Sequence, residues 1–213
     1  MKKLNILALF LGIWTAGHAQ FEGILTYDCT IKNKTLTTIY ESKTKVLLEA
    51  KIYPMKGGVA DIREARVQDP IIFDFEAKKA TRIGAKHHET LSSDLAPVTA
   101  DHNKVKEDEV SVTAVGSEKI EGYNCQHLTV KIRNSTIDLW ITKDLGASEI
   151  CMLSQFDYYP SGSMLFEKLK AAGGEGIVVR SKSGDIVVNL TNAQIKTVPP
   201  SYFDIPGAKP PKP

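Results

Sequence analysis

Between residues 121 and 144 the chain reads EGYNCQHLTVKIRNSTIDLWITKD, which sets Cys125, His127 and Asp144 close to Trp140. A cysteine with a nearby base can be a nucleophile, and cysteine with histidine can ligate a metal. Both chemistries make demands on spacing. On a strand, Cys125 and His127 lie roughly 6.5–7 Å apart at Cα, and no glycine-rich elbow supplies the oxyanion site that a nucleophile needs. Metal binding would require a second spaced ligand pair, and this run has none. A second group of ligand types is AKHHETLSSDLAPVTADHNK, with His87, His88, Glu89, Asp101 and His102. Adjacent histidines on a strand point to opposite faces, and the spacing to Asp101 matches no helical i, i+4 zinc pattern. This run reads as a solvated polar loop. The sequence therefore assigns no catalytic residue, no metal ligand and no cofactor, and it predicts a protein that is not an enzyme.

The elements around these residues are strands. Asn134-Ser135 is predicted to be a two-residue turn. That turn would pair Leu128 with Ile141, Val130 with Leu139 and Ile132 with Ile137 on one face, and Lys131 with Asp138 and Thr129 with Trp140 on the other. Cys125, His127, Thr142 and Asp144 then share the more polar face. FEGILTYDCTI, LTTIYES and KVLLEAKIY are further β-rich runs, the last with Val46, Leu48, Ala50 and Ile52 alternating onto one side. In IIFDFEAKKATRI the central EAKK reads as a reversal. GIVVRSKSGDIVVNL is predicted to fold about Ser183-Gly184, with Lys182 against Asp185 and Val179 against Val188. The whole is mainly β, an antiparallel meander. Only SGSMLFEKLKAAGG breaks the pattern, with Leu165, Phe166, Leu169 and Ala172 at helical spacing between a serine and Gly173.

The compartment follows from the first residues. MKK, an apolar run and small residues at Gly17 and Ala19 form a secretory signal peptide over 1–19. Residues 20–207 read as a single domain and 208–213 as the disordered end of a proline-rich tail. The chain is expected to be periplasmic or secreted, with no membrane span once the signal is cleaved. Loss of Lys2 and Lys3 leaves 25 basic against 25 acidic residues. A neutral chain without a basic block argues against nucleic acid and against an electrostatic membrane partner. Cys29, Cys125 and Cys151 allow one disulfide. Cys29 alternates with Leu25, Tyr27 and Ile31 and reads as a buried thiol. Cys125 lies at the end of the hairpin from which the chain leaves toward Cys151, so Cys125–Cys151 is the expected bridge.

FEGILTYD, KIEGYNCQHLTVKI followed by DLWITKDLG, and the closing VPPSYFDIPGAKP resemble a domain-of-unknown-function family of extracytoplasmic bacterial proteins. That family is in turn similar to the lipoprotein-carrier fold of the periplasmic lipoprotein localisation factors. The resemblance implies an incomplete, half-open antiparallel β-barrel whose concave face is covered by one or more short helices and can accept acyl chains. It implies no catalytic set. On this basis two functions are expected: a non-enzymatic binder of lipid or another apolar small molecule, or an envelope sensor or scaffold that contacts another protein through a sheet edge or the outer face. For the first, Phe156, Tyr158, Tyr159, Met164, Leu165, Phe166 and Leu169 supply the apolar cover. The commoner use of such a stripe is to close the core.

Overall fold

The structure, a computed structural model, describes residues 20–84, 90–94, 106–154 and 158–204, with the backbone alone over 90–94. In chain order the strands are β1 (Gly23–Thr30), β2 (Asn33–Glu41), β3 (Lys45–Lys56), β4 (Val59–Ala60), β5 (Arg66–Val67), β6 (Ile71–Asp74), β7 (Lys79–Ile83) and β8 (Thr90–Asp94). They are followed by β9 (Val110–Ile120), β10 (Tyr123–Ile132), β11 (Ser135–Thr142), β12 (Ile150–Met152) and β13 (Tyr158–Pro160), then helix α1 (Met164–Ala171), β14 (Ile177–Ser183) and β15 (Ile186–Ile195). The main sheet runs β8-β7-β6-β3-β2-β1-β15-β14-β11-β10-β9, with β4 and β5 added to β3. Every strand pair in it is antiparallel. The sheet does not close on itself, which makes it an open half-barrel of the expected class.

Alternation sets the faces. In β1, Leu25, Tyr27 and Cys29 are buried while the residues between them are half-exposed, and β2 repeats this with Thr35, Thr37, Ile39 and Glu41. Two apolar clusters result. The larger joins β1, β2, β3 and β6 to β14 and β15 through residues such as Phe21, Leu25, Ile39, Phe73 and Val188. The other gathers Leu128, Val130, Leu139, Ile141 and Val178 beneath α1. On the opposite face, Leu47 and Ile72 are covered by Val198 and Phe203, and Tyr202 packs 5.0 Å from Tyr40.

Both predicted hairpin turns sit one residue away from their true places. Ile132 pairs with Ser135, so the loop is Arg133-Asn134, and Arg133 takes φ of +52°. Its backbone N–H and guanidinium both bind Glu109, a tertiary contact that a local turn rule does not contain. Moving the turn by one moves the register by two, which leaves every side chain on its predicted face with a new partner. Leu128 meets Leu139, Val130 meets Ile137, and Thr129 meets Asp138 where Lys131 was expected. The second hairpin likewise turns at Gly184-Asp185, so Lys182 faces Val187 and Ser181 faces Val188. The reversal at EAKK stands, between β6 and β7.

The helix forms where its spacing predicts. Ser163 caps it by accepting from the Phe166 N–H at 3.3 Å, and Gly173, at φ +83°, ends it while the Gly174 N–H reaches back to the Leu169 carbonyl at 2.8 Å. Lys168 fixes it to the start of β9 through the Glu107 and Val110 carbonyls, and Gln126 of β10 donates to the Ala172 carbonyl.

Candidate functional site

Four strands of the core-bearing face supply a floor that the helix does not reach. Thr37 of β2 pairs with Ala50 of β3, Leu48 of β3 with Ile71 of β6, and Ile71 with Arg82 of β7, so the five share one face. Thr37 opposite Ala50 sets two small side chains where a Leu or Phe pair would fill the space, and the floor is low there. Val67, Gln68 and Asp69 form one wall, held by the Gln68 N–H on the Ala50 carbonyl at 2.9 Å. Tyr158 of β13 forms the roof, its ring edge-on to buried Phe73 at 5.6 Å. The half-open cleft has a volume of about 470 Å³. Its base is apolar at Leu48, Ala50 and Ile71, while exposed Arg82 and Asp69 place opposite charges at its rim.

Of the seven residues expected to cover a ligand, Tyr158 lines this cleft. Leu165 and Leu169 are 3% and 1% exposed and belong to the second cluster, against which Tyr159, Met164 and Phe166 also pack. None of these five lines the cleft. Phe156, His87, His88, Glu89, Asp101 and His102 lie outside the described residues.

The cover is anchored by a buried carboxyl. Glu41, at the end of β2, is 0% exposed; its Oε2 is hydrogen-bonded to the Ser148 hydroxyl at 2.6 Å, and its Oε1 accepts from the Glu149 N–H at 2.7 Å. Burial pushes its carboxyl up to about 8, against the opposing effect of those two donors. Residues 148–150 lead into β12, whose partner β13 carries Tyr158. The sequence offered little signal of this: in TTIYES the glutamate reads as a polar strand end.

The Cys-x-His pair resolves into two separate environments. The Cys125 thiol is buried and points at the Tyr123 carbonyl, 3.6 Å away, and burial raises its pKa, which keeps it a protonated, weak nucleophile. His127 stacks on Trp140 at 4.5 Å, with Nε2 3.2 Å from the Asp138 carboxylate, which also accepts from Thr129; Trp140 donates to Glu118. Among the described residues no three His, Cys, Asp or Glu side chains converge as a metal site. The expected Cys125–Cys151 bridge is not formed. Both thiols and Cys29 are free and buried, Cys125 in the larger cluster and Cys151 in the one under the helix. The bridge was inferred from a register two residues out, and Cys125 pairs with Thr142 and not Asp144. A separate polar group, Arg180 with Asn189 and Glu121, lies beside Tyr123.

Residues 21–208 match the model of a family described as a domain of unknown function, DUF4412. No match is found among curated proteins. Among solved structures the chain is similar to PNGF-II, at 16% identity and a TM-score of 0.49, over 87% of this chain and 30% of that one. It thus spans about a third of PNGF-II. It is also similar to an uncharacterized conserved protein from Thermus thermophilus, at 9% identity and a TM-score of 0.44, over 88% of this chain and 85% of the other. A DUF1329 family protein from Desulfovibrio piger aligns at 13% identity and a TM-score of 0.26, over 86% and 90%.

Proposed function

We propose that this chain, which belongs to the DUF4412 family, is an exported, non-enzymatic binder of a lipid or another apolar small molecule. The observation that carries the reading is the cleft under Tyr158, where the half-barrel's apolar face stays open although the helix fills its other half. Its chemistry suits an amphiphile: an apolar segment along Leu48, Ala50 and Ile71, and an anionic end at Arg82. The signal-like residues 1–19 and the resemblance of the sequence to a family of extracytoplasmic bacterial proteins support an extracytoplasmic setting. No described helix is long and apolar enough to cross a membrane.

The test is binding of 11-(dansylamino)undecanoic acid to the purified protein. Ala50→Phe should fill the low point of the floor and weaken binding at least tenfold while the unfolding midpoint stays near wild type. A wild-type protein that binds no probe, or an Ala50→Phe protein that binds it equally well, overturns the cleft reading.

A second reading, an envelope scaffold, is favoured by β9. This eleven-residue strand pairs only with β10 among the described strands, and its Val115 is 57% exposed. Capture of one recurrent protein by wild type and not by a Val115→Lys variant, with no lipid probe bound, would select it.

A further inference from the structure

The hydrogen-bond geometry around Glu41 has a place for one more proton than an ionised carboxylate supplies. Ser148 Oγ lies 2.6 Å from Glu41 Oε2 and 3.0 Å from the Ile150 carbonyl, and it accepts from the Ile150 N–H at 3.1 Å. A hydroxyl has one proton, so it can donate to only one of those two oxygens. If Glu41 holds a proton on Oε2 and donates it to Ser148 Oγ, the serine proton is released for the Ile150 carbonyl, and Glu41 Oε1 still accepts from the Glu149 N–H. Every donor and acceptor in the group is then satisfied, which a group without solvent access needs. No cation among the described residues pairs with Glu41. The titratable groups that act on it are Tyr27 of β1 and the Glu149 carboxylate, neither of them a cation, and the residues opposite it are Gly23 of β1 and Val46 of β3.

We propose that Glu41 is protonated in the closed protein and acts as a latch, holding residues 148–150, and through them β12 and β13, onto the sheet, so that loss of its proton to solvent frees the cover. The path is continuous. Ile150, Cys151 and Met152 pair with Pro160, Tyr159 and Tyr158, and the Ser161 N–H binds the Glu149 carbonyl at 2.7 Å. Tyr158 is the roof of the cleft. The effect on ligand entry rests on the cleft reading above; the latch does not.

The experiment follows amide hydrogen exchange at Glu149 and Ile150 from pH 6 to 10, each rate taken relative to the unstructured rate at that pH, in wild type and Glu41→Gln. The glutamine keeps one acceptor oxygen and donates where the protonated acid does. A carboxyl titrating near pH 8 predicts that wild-type protection falls about tenfold between pH 7 and 9, with no such fall in the variant and a parallel rise in the association rate of the dansyl probe. Flat protection in wild type, or an equal fall in both proteins, overturns the latch. A fall confined to wild type with no probe bound at any pH upholds the latch and removes the cleft reading. Should the variant not fold, the Glu41 carboxyl 13C shift in labelled wild type decides: a midpoint near 8 supports the proposal, and one below 6 overturns it.

Discussion

Glu41 also governs how stability depends on pH. In the unfolded chain its carboxyl loses its proton near the ordinary 4.5, whereas in the fold it does so at about 8. Between these values the unfolded state is ionised and hydrated while the folded state is still protonated, so the unfolded state binds fewer protons and stability falls as pH rises. The contribution is fully present below 4.5, is lost progressively, and is gone above 8. At 1.36 kcal/mol per unit the loss is at most on the order of 5 kcal/mol. Urea midpoints should therefore drop between pH 5 and pH 8.5 in wild type, and the drop should shrink sharply in Glu41→Gln. Equal midpoints in wild type at both pH values would show that Glu41 is ionised throughout. Cys151, pushed by burial from the ordinary 9 up to about 12, adds to the same trend between those two values. A residue of this kind is hard to read in sequence, since its partners Ser148 and Glu149 lie more than a hundred positions away.

Among the elements, legibility tracks how local the deciding interaction is. Helix α1 was readable because its cap, its apolar spacing and its terminal glycine all lie within eleven residues. The faces of the strands were readable for the same reason, as period-two alternation survives any even shift of register. The hairpin partners were not, because Arg133 is held in a left-handed turn by Glu109, on a different element. The cleft was half legible: Leu48 and Ala50 stand in the alternation of β3, but the smallness of the Thr37–Ala50 pair appears only once β2 and β3 are in register. The helix gives two expectations that separate core from cleft. Ser163→Ala should cost about 1 kcal/mol through the lost cap, and Leu169→Ala about 2–5 kcal/mol through the cavity it leaves in the cluster beneath the helix. Both should leave affinity for the dansyl probe within a factor of two, because the helix does not line the cleft. Loss of probe binding in Leu169→Ala at unchanged stability would mean that the helix is part of the site.

At the scale of the molecule, the half-barrel is two meanders joined where the first and last described strands pair. β1 to β8 build one half, β9 to β15 the other, and β1 pairs with β15 across some 170 residues of sequence. The Thr191 hydroxyl on the Thr26 carbonyl and the Lys196 N–H on the Glu22 carbonyl tie the same seam. This long closure carries a large entropic cost before it is rewarded, so folding should be slow for the chain's size. Gly23 is the place where the seam tolerates least. A Cβ there would overlap the Gln194 carbonyl oxygen and lie 2.8 Å from the Phe21 ring. The ring can turn, but the carbonyl belongs to the β15 backbone and can retreat only by moving the strand. Gly23 also pairs with Glu41 across β1 and β2. Gly23→Ala should therefore destabilise the protein by about 1–3 kcal/mol or more, although alanine is ordinarily better tolerated than glycine in a strand. Hydrogen exchange should show the loss concentrated in β1 and β15, with β10 and β11 keeping their protection. A uniform loss across both meanders would mean that the halves unfold as one unit and that the seam is no weaker than the sheet around it.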